Sequence, residues 1–210
     1  MISIVNYGMG NIRSVQNALN YLGVNSQLIS SPKEVLESEK LILPGVGSFR
    51  LAMENIKKRK LVNSLNKAVL DKKIPVLGIC LGMQLIAEES EEDGFTKGLG
   101  WIKGTIRKFP VDKLKIKVPH VGFNDVFFEK GNSTLYKGLG KKADYYFVHS
   151  YKLSYKDCNC VSGWSEYGEK IVASIEKENI FGAQFHPEKS QSNGLIMLKN
   201  FAEFKGETEC

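Results

Sequence analysis

The first 80 residues alternate short apolar runs with helical patterns, and this alternation restricts the possible folds more than any other feature. Strand-like runs lie at residues 2–6, 26–29, 41–43 and 75–79. Between the first two runs, apolar residues recur every three or four positions, as expected for one face of a helix. Strands that alternate with helices are typical of an α/β layer with a parallel sheet. We therefore predict an α/β fold in which helices flank a central, largely parallel sheet.

The second half of the chain has a different pattern. Strand-like runs at residues 126–128, 145–148, 171–175 and 180–185 are separated by turn residues, for example those at 130–132, and a helical pattern returns at residues 194–204. Runs of this kind predict antiparallel strands that extend the same sheet. A length of 210 residues, without a Ser- or Pro-rich linker or an internal repeat, favours one domain over residues 1–210.

Composition and charge exclude several classes of protein. A hydrophobic share of 42% and a charged share of 25% are ordinary values for a globular chain, which excludes disordered and fibrous proteins. No apolar run reaches the ~18–20 residues of a membrane span, and no signal-peptide pattern is present, so we expect no membrane association. The net charge is +6, but the lysines are scattered and not interleaved with aromatic residues, so we expect no nucleic-acid binding.

The four cysteines are too few and too unevenly spaced for a disulfide framework, which favours a cytoplasmic protein. Cys158 and Cys160 lie in a polar turn and are predicted to be surface thiols, with a disulfide or a metal role as the alternative. The sequence leaves open whether these two cysteines and Cys210 ever oxidise. Zinc-binding spacings of Cys and His are absent, so we predict no metal site.

The most specific local motif is G-I-C-L-G at residues 78–82, between an apolar strand and a helix. It places Cys80 at the nucleophile position of a tight strand-to-helix elbow, where glycines allow the turn and leave room beside the nucleophile. The start of a helix also favours the thiolate form of a cysteine. We predict that Cys80 is a nucleophile; a buried core cysteine is the alternative.

A histidine and a glutamate form the second motif. His186 and Glu188 lie two residues apart at the end of an apolar run, so in an extended stretch both side chains point to the same side. Glu188 can then orient and stabilise the imidazole as it takes the thiol proton. The chain's other two histidines, His120 and His149, have no carboxylate so placed. The sequence therefore predicts a catalytic triad of Cys80, His186 and Glu188.

Two further features belong near this triad. P-G-V-G at residues 44–47 ends another strand at the sheet edge where ligands of open α/β sheets bind. Its backbone N–H groups could stabilise a tetrahedral oxyanion together with the N–H group of Leu81. Gln84 lies one helical turn beyond Cys80 and should face the same pocket. The acidic residues at 88–93 are either a solvated patch or include a receptor for a substrate ammonium group.

Taken in order across nearly the whole chain, these motifs resemble the class I (triad) glutamine amidotransferases. Three additional runs are N-Y-G-M-G-N at 6–11, V-H-S-Y at 148–151 and H-P-E-K-S-Q at 186–191. With them the resemblance narrows to the family of glutaminase subunits of imidazole glycerol phosphate synthase. It implies that Cys80 attacks the side-chain amide of L-glutamine while His186 and Glu188 move protons, and that glutamate and ammonia are the products.

The resemblance also implies roles for further residues and for a partner. The implied oxyanion site consists of Val46, Gly47 and Leu81. The implied glutamine-binding residues are Gln84, Glu92, His149, Ser150 and Tyr151. The implied partner interface includes Asn11, Phe123 and Lys189. No cofactor is implied, and the partner is a (β/α)₈-barrel cyclase that forms a heterodimer with the glutaminase and uses its ammonia in histidine biosynthesis.

The sequence departs from this family's pattern at two positions. Phe123 stands in the segment H-V-G-F-N where the family has Trp, and Lys152 follows Tyr151 where a second aromatic residue is usual. Both positions are separate from the triad, so glutamine hydrolysis remains the prediction. The alternative partner is a sugar amidotransferase of surface-polysaccharide biosynthesis, which paralogues of this family supply with ammonia.

Overall fold

The computed structural model describes residues 1–129, 133–155 and 159–206 of the chain. Its strands are β1 (Ile2–Val5), β2 (Ser26–Ile29), β3 (Lys40–Leu43), β4 (Val76–Ile79), β5 (Ala87–Ser90), β6 (Thr96–Lys97), β7 (Ile102–Lys108), β8 (His120–Phe128), β9 (Lys142–His149), β10 (Tyr151–Ser154), β11 (Val161–Glu166), β12 (Lys170–Lys177) and β13 (Ile180–Ala183). Its helices are α1 (Ile12–Tyr21), α2 (Pro32–Leu36), α3 (Phe49–Lys58), α4 (Leu61–Asn66), α5 (Leu81–Leu85), α6 (Val111–Leu114) and α7 (Gln191–Glu203). A π turn, Lys67–Asp71, continues α4, and a 3-10 turn, Pro187–Lys189, precedes α7.

The central sheet has nine strands in the order β2-β1-β3-β4-β13-β12-β11-β8-β9. Strands β2, β1, β3, β4 and β13 pair in parallel, and the remaining pairs are antiparallel. This confirms the predicted α/β fold and the predicted antiparallel extension. Because β1, β3, β4 and β13 run in the same direction, the segments that follow them meet at one edge of the sheet.

Two apolar clusters cover the two faces of this sheet. One cluster contains buried side chains of α3 and α4 together with Val5, Leu41 and Val76. The other contains buried side chains of α1 and α7 together with Ile4, Leu77 and Phe181. Strands β1, β4 and β13 are buried along their whole length, which explains why they read as short continuous apolar runs.

A second sheet of four strands, in the order β10-β7-β5-β6, was not predicted. Its longest strand, β7, reads I-K-G-T-I-R-K, and of these residues Ile102 and Ile106 are buried. Apolar residues four positions apart do not have the alternation of a half-buried strand. Helix α3 was also not predicted, and part of the acidic stretch at residues 88–93 lies in β5 rather than at the end of a helix.

The prediction that Cys160 is a surface thiol is wrong. Cys160 is 6% exposed, packs in the apolar cluster that contains α3 and α4, and is disulfide-bonded. It lies directly before β11, and its carbonyl oxygen accepts a hydrogen bond from the Glu176 N–H group at 2.7 Å. The polar neighbours in the sequence therefore gave no indication of its burial. Cys158, Cys210 and the turn at residues 130–132 lie outside the described residues.

Within residues 1–129, 133–155 and 159–206, no group of three or more His, Cys, Asp or Glu side chains is arranged to hold a metal ion. Across the same ranges, no helix combines the length and the apolar character needed to cross a membrane.

Gly82 provides a test of how closely α5 packs on β3. A Cβ atom at this position would lie 1.7 Å from the carbonyl oxygen of Leu43, so the backbone of one element would have to move. We expect Gly82→Ala to lower the free energy of unfolding by about 3 kcal/mol or more. Gly140→Ala is the matched control, because a Cβ there has no neighbour within 4 Å. Urea unfolding of both variants measures the difference, and equal stabilities would contradict this close packing.

Candidate active site

Cys80 lies at the turn between β4 and α5 in a conformation that few residues adopt. Its backbone angles are φ 52° and ψ −106°, and its N–H group donates a hydrogen bond to the Ala183 carbonyl at 2.7 Å. Backbone strain of this kind is concentrated at functional sites. A Cβ at Gly78 would lie 2.7 Å from the backbone of Gly82, so the turn closes only with glycine there. The predicted strand-to-helix elbow is therefore present.

His186 and Glu188 form a buried pair. The His186 Nδ1 atom lies 2.8 Å from Glu188 Oε1, and the two side chains are 1% and 2% exposed. The Ser190 hydroxyl donates to the His186 carbonyl at 2.6 Å and so fixes the turn that connects the two residues. The Nε2 atom of His186 is buried, and apart from the Cys80 thiol the described residues offer it no hydrogen-bond partner. Glu188 thus holds one ring nitrogen and leaves the other for proton exchange.

Hydrogen bonds to Cys80 and Glu188, together with their charges, determine the protonation of His186. Burial by itself lowers the pKa of His186, but Cys80 and Glu188 outweigh this effect and raise the pKa to about 10. The imidazole is therefore a cation at neutral pH. A histidine cation near a cysteine sulfur, held by a carboxylate, has the arrangement of an activated cysteine nucleophile.

Hydrogen bonds connect Cys80 with two glutamine side chains. The Cys80 sulfur lies 3.8 Å from Gln184 Nε2 and 3.7 Å from the Val148 carbonyl oxygen. Gln84 Nε2 donates to Gln184 Oε1 at 3.1 Å and to the Tyr151 carbonyl at 3.0 Å. Gln84 and Tyr151, both predicted to bind glutamine, therefore lie in one hydrogen-bond network with Cys80.

The other residues predicted to bind glutamine make separate contacts around this network. His149 Nδ1 lies 2.8 Å from the Tyr151 carbonyl oxygen. The carboxylate of Glu92 accepts a hydrogen bond from the Phe49 N–H group at 2.9 Å. Burial raises the pKa of the Tyr151 phenol, and the charges of Glu92 and Asp93 add to this effect. Ser150 contributes its carbonyl oxygen to the Phe109 N–H group at 3.3 Å.

The loop at residues 44–47 lies directly against the elbow. A Cβ at Gly45 would approach Leu81 Cβ to 2.8 Å and Tyr7 Oη to 2.4 Å. Val46 is 40% exposed and Gly47 has a φ of 106°. The loop that carries Val46 and Gly47 is thus adjacent to the first residue of α5, Leu81.

Two of the three predicted interface residues share a surface. The Phe123 ring, 47% exposed on β8, lies 5.6 Å from the Tyr146 ring, and Lys189 Nζ lies 5.8 Å from the same ring. Val121 and Phe127 are also exposed on β8, so this face presents an apolar stripe. Asn11 directly precedes α1, which packs against the turn that contains Lys189.

Sequence analysis missed two residues of the site. Gln184 is fully buried beside Cys80, and it precedes His186 by two residues, so strand alternation could have identified it. Tyr7 is also fully buried, and its hydroxyl donates to the Pro44 carbonyl at 2.5 Å. Burial, followed by the charge of Cys80, raises the pKa of Tyr7. Its position two residues after β1, at the shared sheet edge, is the available signal.

The raised pKa of His186 can be tested by NMR titration. Because Cys80 and Glu188 both raise it, Cys80→Ala and Glu188→Gln should each bring the pKa of His186 down from about 10. The pKa of His186 in the folded protein exceeds its unfolded value of about 6.5, so the interactions of His186 stabilise the fold fully below pH 6.5. That contribution is lost as the pH rises through 10. His120, whose pKa is lowered by burial alone, is the internal control and should not respond. An unchanged His186 titration in both variants would contradict this account.

Known proteins of one family are similar to this chain over nearly its whole length. The family model "Glutamine amidotransferase class-I" matches residues 3–203. The imidazole glycerol phosphate synthase subunit HisH 1 of Campylobacter jejuni is 46% identical over 202 residues, which cover 96% of this chain and 99% of the relative. The corresponding HisH subunit of Bacillus cereus is 48% identical over 203 residues, 96% of this chain and 93% of the relative.

Solved structures agree on the fold. A crystal structure of a glutamine amidotransferase superposes with a TM-score of 0.74 at 16% identity, covering 96% of this chain and 97% of that chain. PurLQS from Thermotoga maritima gives a TM-score of 0.74 at 19% identity, covering 95% and 96%. Together with the family match over nearly the whole sequence, these findings show that the chain belongs to the class I glutamine amidotransferases.

Proposed function

We propose that this chain is the glutaminase subunit of an imidazole glycerol phosphate synthase, and that it supplies ammonia for histidine biosynthesis in the cytoplasm. One observation carries the proposal: a nucleophile elbow at Cys80 lies beside a buried His186–Glu188 pair whose Nδ1–Oε1 distance is 2.8 Å. The identity to synthase subunits, 41% to 48% over nearly the full length, supports the pathway.

The proposed reaction begins with the Cys80 thiolate and the His186 cation. The sulfur attacks the side-chain amide carbon of L-glutamine, and Nε2 of His186 gives its proton to the amide nitrogen. The C–N bond then breaks, and ammonia leaves a glutamyl thioester on Cys80. Neutral His186 next takes a proton from an attacking water, and the C–S bond breaks to leave the thiolate, the imidazole cation and glutamic acid, whose new carboxyl group releases its proton to solvent to give glutamate. Glu188 keeps Nδ1 protonated throughout.

The neighbouring segments suit the charges that this reaction develops. The N–H group of Leu81 is in the first turn of α5 and has no partner within the helix. With N–H groups of Val46 and Gly47 it would stabilise the oxyanion. Both amide hydrogens of Gln84 are already donated, so its Oε1 atom can accept from the substrate ammonium group. Glu92, His149, Ser150 and Tyr151 are proposed to complete the glutamine-binding side.

A partner must receive the ammonia, and the apolar stripe on β8 is the proposed contact. Grouped exposed apolar side chains mark interaction surfaces, and Val121, Phe123 and Phe127 are each between 45% and 55% exposed. Asp125, paired with Lys142, lies between Phe123 and Phe127 on the same face. Lys189 adds a positive charge beside Tyr146. We propose a (β/α)₈-barrel cyclase subunit as the partner, in a heterodimer, with Asn11 at the margin of the contact.

A second candidate partner, a sugar amidotransferase, is favoured by the residues at 123 and 152. Phe123 lies within the stripe and replaces the Trp expected there. Lys152 forms an ion pair with Glu169 at 3.3 Å in place of the expected aromatic contact. Neither residue touches Cys80 or His186 in the described contacts, so the two candidates differ in partner and share the glutaminase chemistry.

The decisive experiment measures glutamate release from glutamine by the chain alone, with the same organism's cyclase subunit and its nucleotide substrate, and with a sugar amidotransferase. We expect strong stimulation of glutamate release by the cyclase.

Cys80→Ala should lower glutamate release at least ~10⁴-fold, because it removes the nucleophile. Synthesis of the partner's product from added ammonium salt should remain, since the partner performs that step. Stimulation by the sugar amidotransferase alone would assign the second candidate, and retention of glutamine hydrolysis in Cys80→Ala would overturn the proposed chemistry.

The roles of His186 and Glu188 predict a ranking. His186→Ala removes the proton carrier and should lower kcat by roughly 10³–10⁴-fold. Glu188→Gln leaves the imidazole in place and should have a smaller effect, by at least about tenfold. Steady-state kinetics of both variants in the complex gives the comparison. The reverse order would show that Glu188 does more than orient and stabilise His186.

A further inference from the structure

His120 takes no part in the proposed reaction, yet it lies in a continuous chain of hydrogen bonds that ends at the glutamine site. It is the first residue of β8 and is 2% exposed. Its Nε2 atom lies 3.3 Å from Asn124 Nδ2, and its Nδ1 atom lies 3.0 Å from His149 Nε2. His149 Nδ1 in turn lies 2.8 Å from the Tyr151 carbonyl oxygen.

At the Asn124 end of this series of hydrogen bonds, the contacts determine which ring nitrogen of His120 carries the proton. Asn124 Oδ1 accepts from the Asp125 N–H group at 2.9 Å, and Nδ2 donates to the Glu166 carbonyl at 2.9 Å. The amide orientation is therefore determined, and the group that faces His120 is an N–H donor. His120 Nε2 must accept this bond, so the proton of the neutral ring is on Nδ1 and is donated to His149 Nε2.

The Tyr151 end favours the same arrangement, which the donor from His120 then secures. A carbonyl oxygen can only accept, so His149 must carry its proton on Nδ1, which leaves Nε2 as an acceptor. Burial lowers the pKa of His120 to about 4 and is the main cause that lowers the pKa of His149 to about 3. Both rings are thus neutral at pH 7, and each has its proton on Nδ1.

The donor and acceptor roles in this series of hydrogen bonds also determine how Gln84 is held. The Tyr151 carbonyl accepts from both His149 Nδ1 and Gln84 Nε2, so its two lone pairs are used. If His149 carried its proton on Nε2, the lone pair of Nδ1 would face the carbonyl oxygen at 2.8 Å. Repulsion would then displace the ring or the carbonyl group, and with it the acceptor that holds Gln84.

We propose that His120 is a positioning residue for glutamine binding: it fixes the tautomer of His149 and, through the Tyr151 carbonyl, the orientation of Gln84. The proposal deepens the proposed function and rests on it, because Gln84 is taken there to bind the substrate ammonium group. It concerns binding rather than chemistry, since no described contact joins His120 to Cys80 or His186.

Two substitutions separate this role from simple packing. The His120 ring stacks against Phe147 and Tyr167, with centroid distances of 4.6 and 3.9 Å. His120→Phe keeps a ring in the stack and removes the donor to His149. His120→Asn removes the ring and retains an N–H donor close to the position of Nδ1. The two roles therefore predict opposite rankings of the same two variants.

The kinetic test uses the complex with the cyclase subunit and L-glutamine. We expect His120→Phe to raise KM about tenfold, the effect of one lost buried hydrogen bond, with a much smaller change in kcat. His120→Asn should keep KM within about twofold of the wild type, although its Tm should be the lower of the two because the stack is lost. If His120→Asn had both the lower Tm and the higher KM of the two variants, the effect on KM would come from packing and the proposal would be overturned.

A spectroscopic test needs no variant and no activity. The chain has three histidines, so ¹⁵N NMR of histidine-labelled protein can assign every ring. We expect His120 and His149 to be neutral with protonated Nδ1 at pH 7, and His149 to lose this preference in His120→Phe. A protonated Nε2 on His149 in a wild-type complex that hydrolyses glutamine would overturn the positioning role alone. Absence of hydrolysis by that complex would instead overturn the proposed function on which it rests.

Discussion

The site depends on one close approach between backbones, that of α5 to β3. A Cβ at Gly82 would lie 1.7 Å from the Leu43 carbonyl oxygen, so nothing larger than a hydrogen atom separates these two elements. This approach brings the loop that follows β3 against the first residue of α5, where Gly45 meets Leu81 and Tyr7. The glycines at 45 and 82 are therefore needed for contact rather than for flexibility, and the loop at residues 44–47 and the Cys80 elbow are positioned by the same contact.

Three histidines lie buried near this edge, and their partners give them opposite properties. Desolvation lowers the pKa of each ring, yet the pKa of His186 is about 10, whereas those of His120 and His149 are about 4 and 3. His186 faces a carboxylate and a cysteine sulfur, which favour its charged form. His120 and His149 contact an amide, a carbonyl group and each other, so they have no charge to offset desolvation. One ring is thus suited to proton transfer and two are suited to fixed hydrogen bonds.

The sequence was sufficient for those parts of the structure that local spacing determines. Three of the four parallel strands of the first half, β1, β3 and β4, are largely buried, so each reads as an apolar run. The elbow and the His186–Glu188 pair each occupy a few consecutive residues. The second sheet could not be read in this way, because β7 carries mostly polar side chains between Ile102 and Ile106. The link between His120 and His149 depends on the pairing of β8 with β9, which places them directly opposite each other. Such a register joins residues far apart in the chain, and no local pattern specifies it.

Strand β8 brings two kinds of contact together on its two faces. Alternation directs His120 and Asn124 toward the buried side, where they bond to His149 and Glu166, and leaves Val121, Phe123 and Phe127 exposed on the other. A change at an outward position, such as Phe for Trp at 123, therefore alters the surface offered to a partner and leaves the buried hydrogen bonds intact. Paralogues with different partners could diverge at the outward positions while keeping the same glutamine site. The departure at Phe123 thus lies on the outward surface of β8, whereas His120 and Asn124 belong to its buried hydrogen-bond network.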